Sequence, residues 1–412
     1  MRYRDISDLS DISRDAALVI DFIGEDEYRR SFAAIHRSLN AKGFVTPYDD
    51  AAFALELDLF NLENLRTSNG GTFQFHPQFH AGMDFLIGVG QTIPHLSTGA
   101  KRRLLGRLRK GLKEGLWPLQ HEFRIAGFLS KIGWDIYFHD LEEGGGYDFL
   151  ATRDGVAFEV EAKAMSVYTA WPIKPEEVTK LFVEAKQSFS WNDERAIPIL
   201  RIKFLSGLSC ERTQLRELIS AVTEVARTRE EVFLPGIKVG SIGTVSDMPG
   251  DKLLGAAHMH SLMVRKTVVV NAEHPKFVLE LNSNKPVQLA KKMLKTIRET
   301  AKERFSHSKP GAIWMHIGMI TDNDFNALSS SYNGKAGLLD RISERILLSE
   351  KRTHLSQLVF SGGSSLKKTP PTQCTSFASV VYDSPLCLFG SNVIFPGGRQ
   401  WPGTKEKATR HA

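Results

Sequence analysis

Cysteine is scarce in this chain. Its 412 residues include three, Cys210, Cys374 and Cys387. The number is odd and the spacing is not that of a metal site, so a disulfide scaffold and a zinc-ribbon module are excluded, and reduced thiols in a cytoplasmic protein are expected. Long hydrophobic runs are absent too. Nothing approaches the roughly 18 apolar residues of a membrane span. The first residues, MRYRDISDLSDISRD, are charged where a signal peptide would be apolar. No membrane partner is expected. The histidines form no convincing metal set. His76 and His80 are four apart, but Pro77 between them breaks the helix that would bring them together. His258 and His260 lack a third ligand nearby. No helicase, methyltransferase or zinc-finger signature is present.

What is there is ordinary in bulk. Apolar residues make up 42% and charged residues 24%, the balance of a globular chain, and the length suits two or three domains. The net charge of +6 and a pI near 9.0 point mildly to a polyanionic partner.

The stretch from His121 to Ser166 organises the rest. It reads as a helix, a strand and a hairpin. Asp154-Gly155 is a strong signal for a two-residue type I′ turn, which needs positive φ at both positions. With that pair at the tip, Arg153 lies opposite Val156, Leu150 opposite Glu159, and Asp148 opposite Glu161. Side chains alternate along a strand. Phe149, Ala151, Phe158, Val160 and Ala162 therefore share a core face, and Asp148, Glu159, Glu161 and Lys163 share the other. A solvated polar face would also alternate in this way. Directly opposed carboxylates, however, destabilise a sheet unless a cation joins them. Mg²⁺ suits one or two carboxylates with water and phosphate oxygens.

These residues resemble the PD-(D/E)XK nuclease superfamily, the restriction-endonuclease-like fold, over residues of about 118 to 240. The family's aspartate falls on Asp148, its acid and lysine on Glu161 and Lys163, and its first-helix glutamate on Glu122. Gln187 and Trp191 resemble the glutamine-containing signature of the RecB-type branch, with Trp in place of Tyr. The family's Pro is replaced by Tyr147. The resemblance implies a mixed α/β fold with an αβββαβ core. It also implies that Asp148, Glu161, Glu122 and the carbonyl of Ala162 hold Mg²⁺ or Mn²⁺, with Glu159 and Gln187 in supporting positions. Lys163 would position the attacking water and steady the developing phosphorane.

Elsewhere the pattern sets boundaries. Tyr28, Phe32, Ile35 and Leu39 line one face of a helix over 26–39, and a second candidate helix, AAFALELDLFNLENL, follows Asp50. Ser97-Thr98 can cap a helix reading AKRRLLGRLRKGLKEGL, with Leu104, Leu105, Leu108 and Leu112 as its buried stripe. Lys101, Arg102, Arg103, Arg107, Arg109, Lys110 and Lys113 surround that stripe. Such a run is often a plain solvated face, but like charges three and four apart weaken a helix and phosphate contacts would offset them. Residues 1–115 are thus expected to be mostly helical, 116–243 to form the nuclease-like core, 244–395 a C-terminal α/β region, and 396–412 a disordered basic tail. Strands are expected at 197–204, 231–243, 276–281, 312–317 and 356–360, with helices at 175–189, 212–229, 286–305 and 337–349. AKQSFS at 185 and AKERFS at 301 echo each other, too briefly to define a repeat.

The expected function is a metal-dependent endonuclease hydrolysing phosphodiester bonds of DNA, with RNA and a homodimer left open, serving defence against foreign DNA or DNA processing. The rival is a catalytically silent nucleic-acid-binding or interaction protein on the same fold.

Overall fold

The structure is a computed structural model. It describes residues 1–3, 9–31, 33, 44–45, 79–114, 116–166, 181, 184, 196–204, 212–246, 267–270, 278–283, 288–318, 320, 322–330, 336–362, 378–389 and 394–395. Two compact units emerge. The first combines Met1–Phe32, Ala54–Ser166 and Ala290–Ala412, and the second Ala33–Phe53 and Val167–Leu289. Both are mixed α/β. Among the described residues no helix is long and apolar enough to cross a membrane.

The first unit is built on six strands: β1 (Asp135–Tyr137), β2 (Phe149–Arg153), β3 (Val156–Ser166), β4 (Gly311–Gly318), β5 (Leu355–Gly362) and β6 (Ala378–Asp383). They lie side by side in chain order. The β1-β2-β3 meander is antiparallel, β3, β4 and β5 are mutually parallel, and β6 returns antiparallel. The helices are α1 (Leu9–Ile23), α2 (Phe79–Thr92), α3 (Thr98–Glu114), α4 (Trp117–Lys131), α5 (His139–Glu143), α6 (Leu289–Glu303), α7 (Asp322–Ser329) and α8 (Leu338–Leu347). Their apolar residues recur at three and four, as an amphipathic helix on a sheet requires. Met293, Ile297 and Ala301 are buried on α6, and Leu339, Ile342 and Ile346 on α8. On α3, Leu104, Leu108 and Leu112 are buried as the spacing predicts, while Leu105 is half-buried. Ser97 caps that helix, its Oγ accepting from the Ala100 N–H at 3.2 Å.

The hairpin has the register read from its turn. Asp154 and Gly155 take φ of 52° and 78°. Arg153 pairs with Val156, Leu150 with Glu159 and Phe149 with Val160. Phe149, Ala151, Phe158 and Val160 are fully buried, whereas Ala162 is half-buried.

The strand beyond the hairpin is a correction. The segment Ala196–Phe204 is a strand, but it pairs with Ile237–Ser246 and Val278–Ser283 in a separate sheet. The place beside β3 is taken by β4, more than a hundred residues further on in the chain. Residues 116–243 therefore divide between the two units, and β4 to β6 extend the hairpin's own sheet. The physical reason lies in the patterns. β4, GAIWMHIG, is buried at every position, as a central parallel strand must be. In Ala196–Phe204, Leu200, Ile202 and Phe204 are buried while Lys203 is exposed, which fits a sheet with one wet face.

In the second unit the strands run in the order Phe44–Val45, Thr267–Val270, Val278–Ser283, Ala196–Phe204, Ile237–Ser246 and Val232–Leu234. Helix Arg212–Thr228 covers this sheet with Leu215, Leu218, Val222 and Val225, packed in one core with Ile202, Phe204 and Val239. The sequence expectation of one strand region at 231–243 resolves into a hairpin turning at Pro235-Gly236. β6 of the first unit is not among the strands expected from the sequence. The candidate helix after Asp50, His76, His258, His260, nearly all of 175–189, and the tail after 396 lie outside the described residues. His80 falls in α2, where extended chain was expected.

Helix α4 is held against the sheet by a close approach at its start. A Cβ on Gly318, at the end of β4, would stand 1.9 Å from the Trp117 ring. Gly318→Ala should therefore destabilise the protein by about 1–3 kcal/mol, the usual cost of overpacking. Chemical denaturation checks this, and an unchanged midpoint would mean that Trp117 does not rest there.

Candidate active site

Four acids converge where α3, α4, α5 and the hairpin meet. Glu122 comes from the apolar side of α4, between Leu119, Phe123 and Ala126, and is buried. Asp140 lies in the first turn of α5. Asp148 stands one residue before β2 and Glu161 within β3. The hairpin locks the last two together. The Asp148 N–H donates to Glu161 Oε2 at 3.1 Å, and the Ala162 N–H donates to Asp148 Oδ2 at 2.7 Å. Each acid thus replaces a ladder partner for the other strand just where the β2–β3 pairing ends.

Three cations answer the four carboxylates. Arg107, reaching in from α3, donates from Nη1 to Asp140 Oδ2 at 2.6 Å and to Glu122 Oε1 at 3.3 Å, and from Nη2 to Glu122 Oε2. Lys163 Nζ bonds to Glu161 Oε1. Arg304, just beyond α6, places its Nε 3.8 Å from the same oxygen and donates from Nη1 to the carbonyl of Gly146 at 3.3 Å. Lys163 and Arg304 both reach solvent, at 27% and 49% side-chain exposure.

Burial and crowding raise the acids' pKa values. Burial, then the charge of Asp148, pushes Glu161 up to about 7 against the pull of Lys163. Asp140 is pushed up to about 6 by burial, with Arg107 opposing and Asp148 adding. Glu122 goes well above the carboxylate range, by burial first, despite Arg107. Asp148 is raised by burial, with Lys163 and the Ala162 N–H holding it down. For Arg107, burial works against the charge, but Glu122 and Asp140 outweigh it and its pKa rises.

Glu122, Asp140 and Asp148 each offer an oxygen within 4.8 Å of the other two. Such a set suits a hard, oxygen-seeking cation. Asp140 Oδ1 is buried and has no hydrogen-bond partner. An orphaned anionic oxygen is costly unless something positive meets it, so the donor set fits a divalent ion. Glu161 is not in that set; its oxygens meet Lys163, Arg304 and the Asp148 N–H. Ala162 contributes its N–H to Asp148.

Glu159 has a different job. It is fully buried, and it accepts from the N–H of Ser306 at 2.8 Å and from the Ser306 hydroxyl. Gln187 and Trp191 lie outside the described residues.

The basic helix is only partly a free surface. Arg103 donates to the carbonyls of Leu141 and Glu142 at the end of α5, Arg107 serves the acids, and Arg109 donates to the carbonyl of Ile23 at 3.0 Å. The crowding of like charge along α3 is thus relieved in part by internal acceptors, and at least three of the seven cations expected to meet phosphate are already engaged. Arg102 and Lys110 are exposed and Lys101 is half-buried. The side chain of Lys113 is outside the described residues.

Sequence reasoning missed Asp140, Arg304 and Ser306. Asp140 was visible as an acid eight residues before Asp148, but a five-residue helix has no periodicity to announce it. Arg304 and Ser306 belong to AKERFS, more than 140 residues from the hairpin, and nothing local ties them to it.

No family model, curated protein or solved structure matches the chain.

Glu159 and Glu161, two residues apart on β3, should separate cleanly. Glu159→Gln places an amide against the Ser306 N–H and should cost about 1–3 kcal/mol, while stabilisation by added divalent metal persists. Thermal melts with and without Mn²⁺ check this. Loss of the metal response in Glu159→Gln would move the site toward the turn.

Proposed function

We propose that the protein is a metal-dependent nuclease that hydrolyses phosphodiester bonds of DNA, on a restriction-endonuclease-like arrangement of α4, the β1–β3 meander, α6 and β4. The observation that carries this reading is the juxtaposition of a three-carboxylate donor set with two solvent-reaching cations, Lys163 and Arg304, that meet at Glu161. In this reading the segment Val167–Leu289 is inserted between the third strand and the helix that precedes the fourth.

Glu122, Asp140 and Asp148 would hold the ion. A bound divalent ion supplies neutralisation of phosphate charge and a lowered pKa for water. The chain's own residues do the rest. Lys163 is aimed by Glu161, which fixes its ammonium beside Asp148. From there it can hold an attacking water by an N–H and offset charge that develops on the phosphorane, the kind of preorganised stabilisation that contributes most in a partly dry site. Arg304, tied to the carbonyl of Gly146, can present its remaining N–H groups to a phosphate oxygen in the two-pronged manner of guanidinium. Exposed Arg102, together with Lys291, Lys292 and Lys295 on the outer face of α6, would add contacts along the backbone that carry no sequence information.

The rival reading has its own observation. Arg107 already neutralises two of the three acids, as in a site that binds no metal and serves only to bind nucleic acid or a partner.

Cleavage of plasmid and oligonucleotide DNA with Mg²⁺, Mn²⁺ or EDTA separates the two. The nuclease reading expects metal-dependent cleavage that Lys163→Ala lowers at least about 100-fold, since it removes a transition-state contact. DNA affinity in Ca²⁺ should stay within about twofold, because ground-state phosphate contacts are left in place. No cleavage with any of these metals, with DNA binding intact, would favour the silent reading.

The raised pKa values give a second check. An acid whose folded pKa lies above its unfolded value stabilises the metal-free fold below the unfolded pKa and loses that contribution as pH rises through the folded one. Asp140 near 6 and Glu161 near 7 place this window at about pH 4 to 7. Metal held by Glu122, Asp140 and Asp148 must displace the Asp140 proton. The rise in melting temperature on adding Mg²⁺ should therefore be smaller at pH 5 than at pH 8. A metal response independent of pH would contradict binding at these acids.

A further inference from the structure

The acids that would take a metal are not waiting empty-handed. Of the three, Glu122 gives both oxygens to Arg107 and Asp140 gives one. The oxygens left over are Asp140 Oδ1, which has no partner, and the Asp148 oxygen not taken by the Ala162 N–H. A guanidinium forked across two carboxylates satisfies the geometry that a cation would otherwise satisfy. It also places a fixed positive charge within bonding distance of the oxygens that the ion needs, and two cations sharing those ligands repel. The Arg107 side chain is one-third exposed, at 35%, so it lies at the edge of the cluster and not sealed beneath it.

We propose that Arg107 is the resident counter-ion of this site, and that a divalent cation loads by displacing its guanidinium from Glu122 and Asp140. This rests on the metal-site reading above and specifies how that site is filled. Arg107 then has two effects of opposite sign. It keeps Glu122 from being an unpaired buried charge, which would be strongly destabilising, and it lowers the affinity for metal. The incoming ion meets Asp140 Oδ1 and Asp148 first, and takes Glu122 only as Arg107 leaves. Arginine suits this role where lysine would not, because a point charge cannot bond both carboxylates in the same planar fork.

The test uses the full chain with Ca²⁺ and Mn²⁺ as probes. Calorimetric titration of Arg107→Gln should show Ca²⁺ binding tighter than wild type by about tenfold or more, a difference of about 1.4 kcal/mol. Arg107→Lys should fall between them. Asp148→Asn identifies any binding that occurs elsewhere on the surface, and that binding is subtracted. Since Arg107→Gln leaves two acids unpaired and can fail to fold without metal, a second measurement uses wild type alone. Labelling of Arg107 by hydroxyphenylglyoxal, mapped by mass spectrometry, should rise as Ca²⁺ is added. Equal or weaker Ca²⁺ binding in Arg107→Gln, or labelling that is unchanged or falls, overturns the displacement. If wild type binds metal at the Asp148 site with Arg107 labelling unchanged, the metal site stands and only the displacement is lost. If neither wild type nor Arg107→Gln binds Ca²⁺ or Mn²⁺ at that site, the metal-site reading falls and the displacement with it.

Discussion

Crowded negative charge is the constraint on which the rest depends. Glu122, Asp140, Asp148 and Glu161 come from three different elements and meet in a largely buried space. Isolated ions in such a place are prohibitively costly. The protein meets that cost with one local cation, Lys163 of the hairpin itself, and two from remote parts of the chain, Arg107 from α3 and Arg304 from the end of α6. Every raised carboxylate pKa in the cluster has burial as its first cause. A cluster of this kind is expensive for a merely structural purpose, since apolar residues of similar volume often serve stability as well.

The fold's contribution is to hold the acids at fixed spacing. The type I′ turn sets the register, and the register puts Asp148 and Glu161 across from each other. β4 then closes the far edge of the hairpin as a strand buried at every position. Ser306 clips the loop before β4 onto Glu159, so the segment carrying Arg304 is anchored next to the acids. A chain insertion as large as Val167–Leu289 can sit between β3 and α6 because loop-closure entropy grows only slowly with length. The second unit has its own sheet and its own core.

What was legible in the sequence was local. The Asp154-Gly155 pair, the alternation on either side of it, and the leucine stripe of α3 each depend on residues a few positions apart, and each is found as read except that Leu105 and Ala162 are half-buried. Strand partners depend on distant residues and were read less well. Ala196–Phe204 and Gly311–Gly318 both look like strands, and proximity in the chain favoured the wrong one as neighbour of β3. The decisive clue was burial on both faces, visible in GAIWMHIG as an apolar run interrupted only by His316. Charge was legible in kind but not in direction. Seven cations on α3 suggested phosphate, yet Arg103, Arg107 and Arg109 bond to acceptors whose positions only the tertiary structure fixes. Asp140 was hidden because a one-turn helix gives no pattern.

The central claim is that Glu122, Asp140 and Asp148 form a metal centre. The most direct measurement is anomalous diffraction from crystals soaked in Mn²⁺. The account predicts a manganese peak bounded by these three carboxylates, at about 2.0–2.2 Å from at least one oxygen of Asp148, in keeping with hard cations of this size. A map with no peak there, and Arg107 still bridging Glu122 and Asp140 at saturating Mn²⁺, would contradict it.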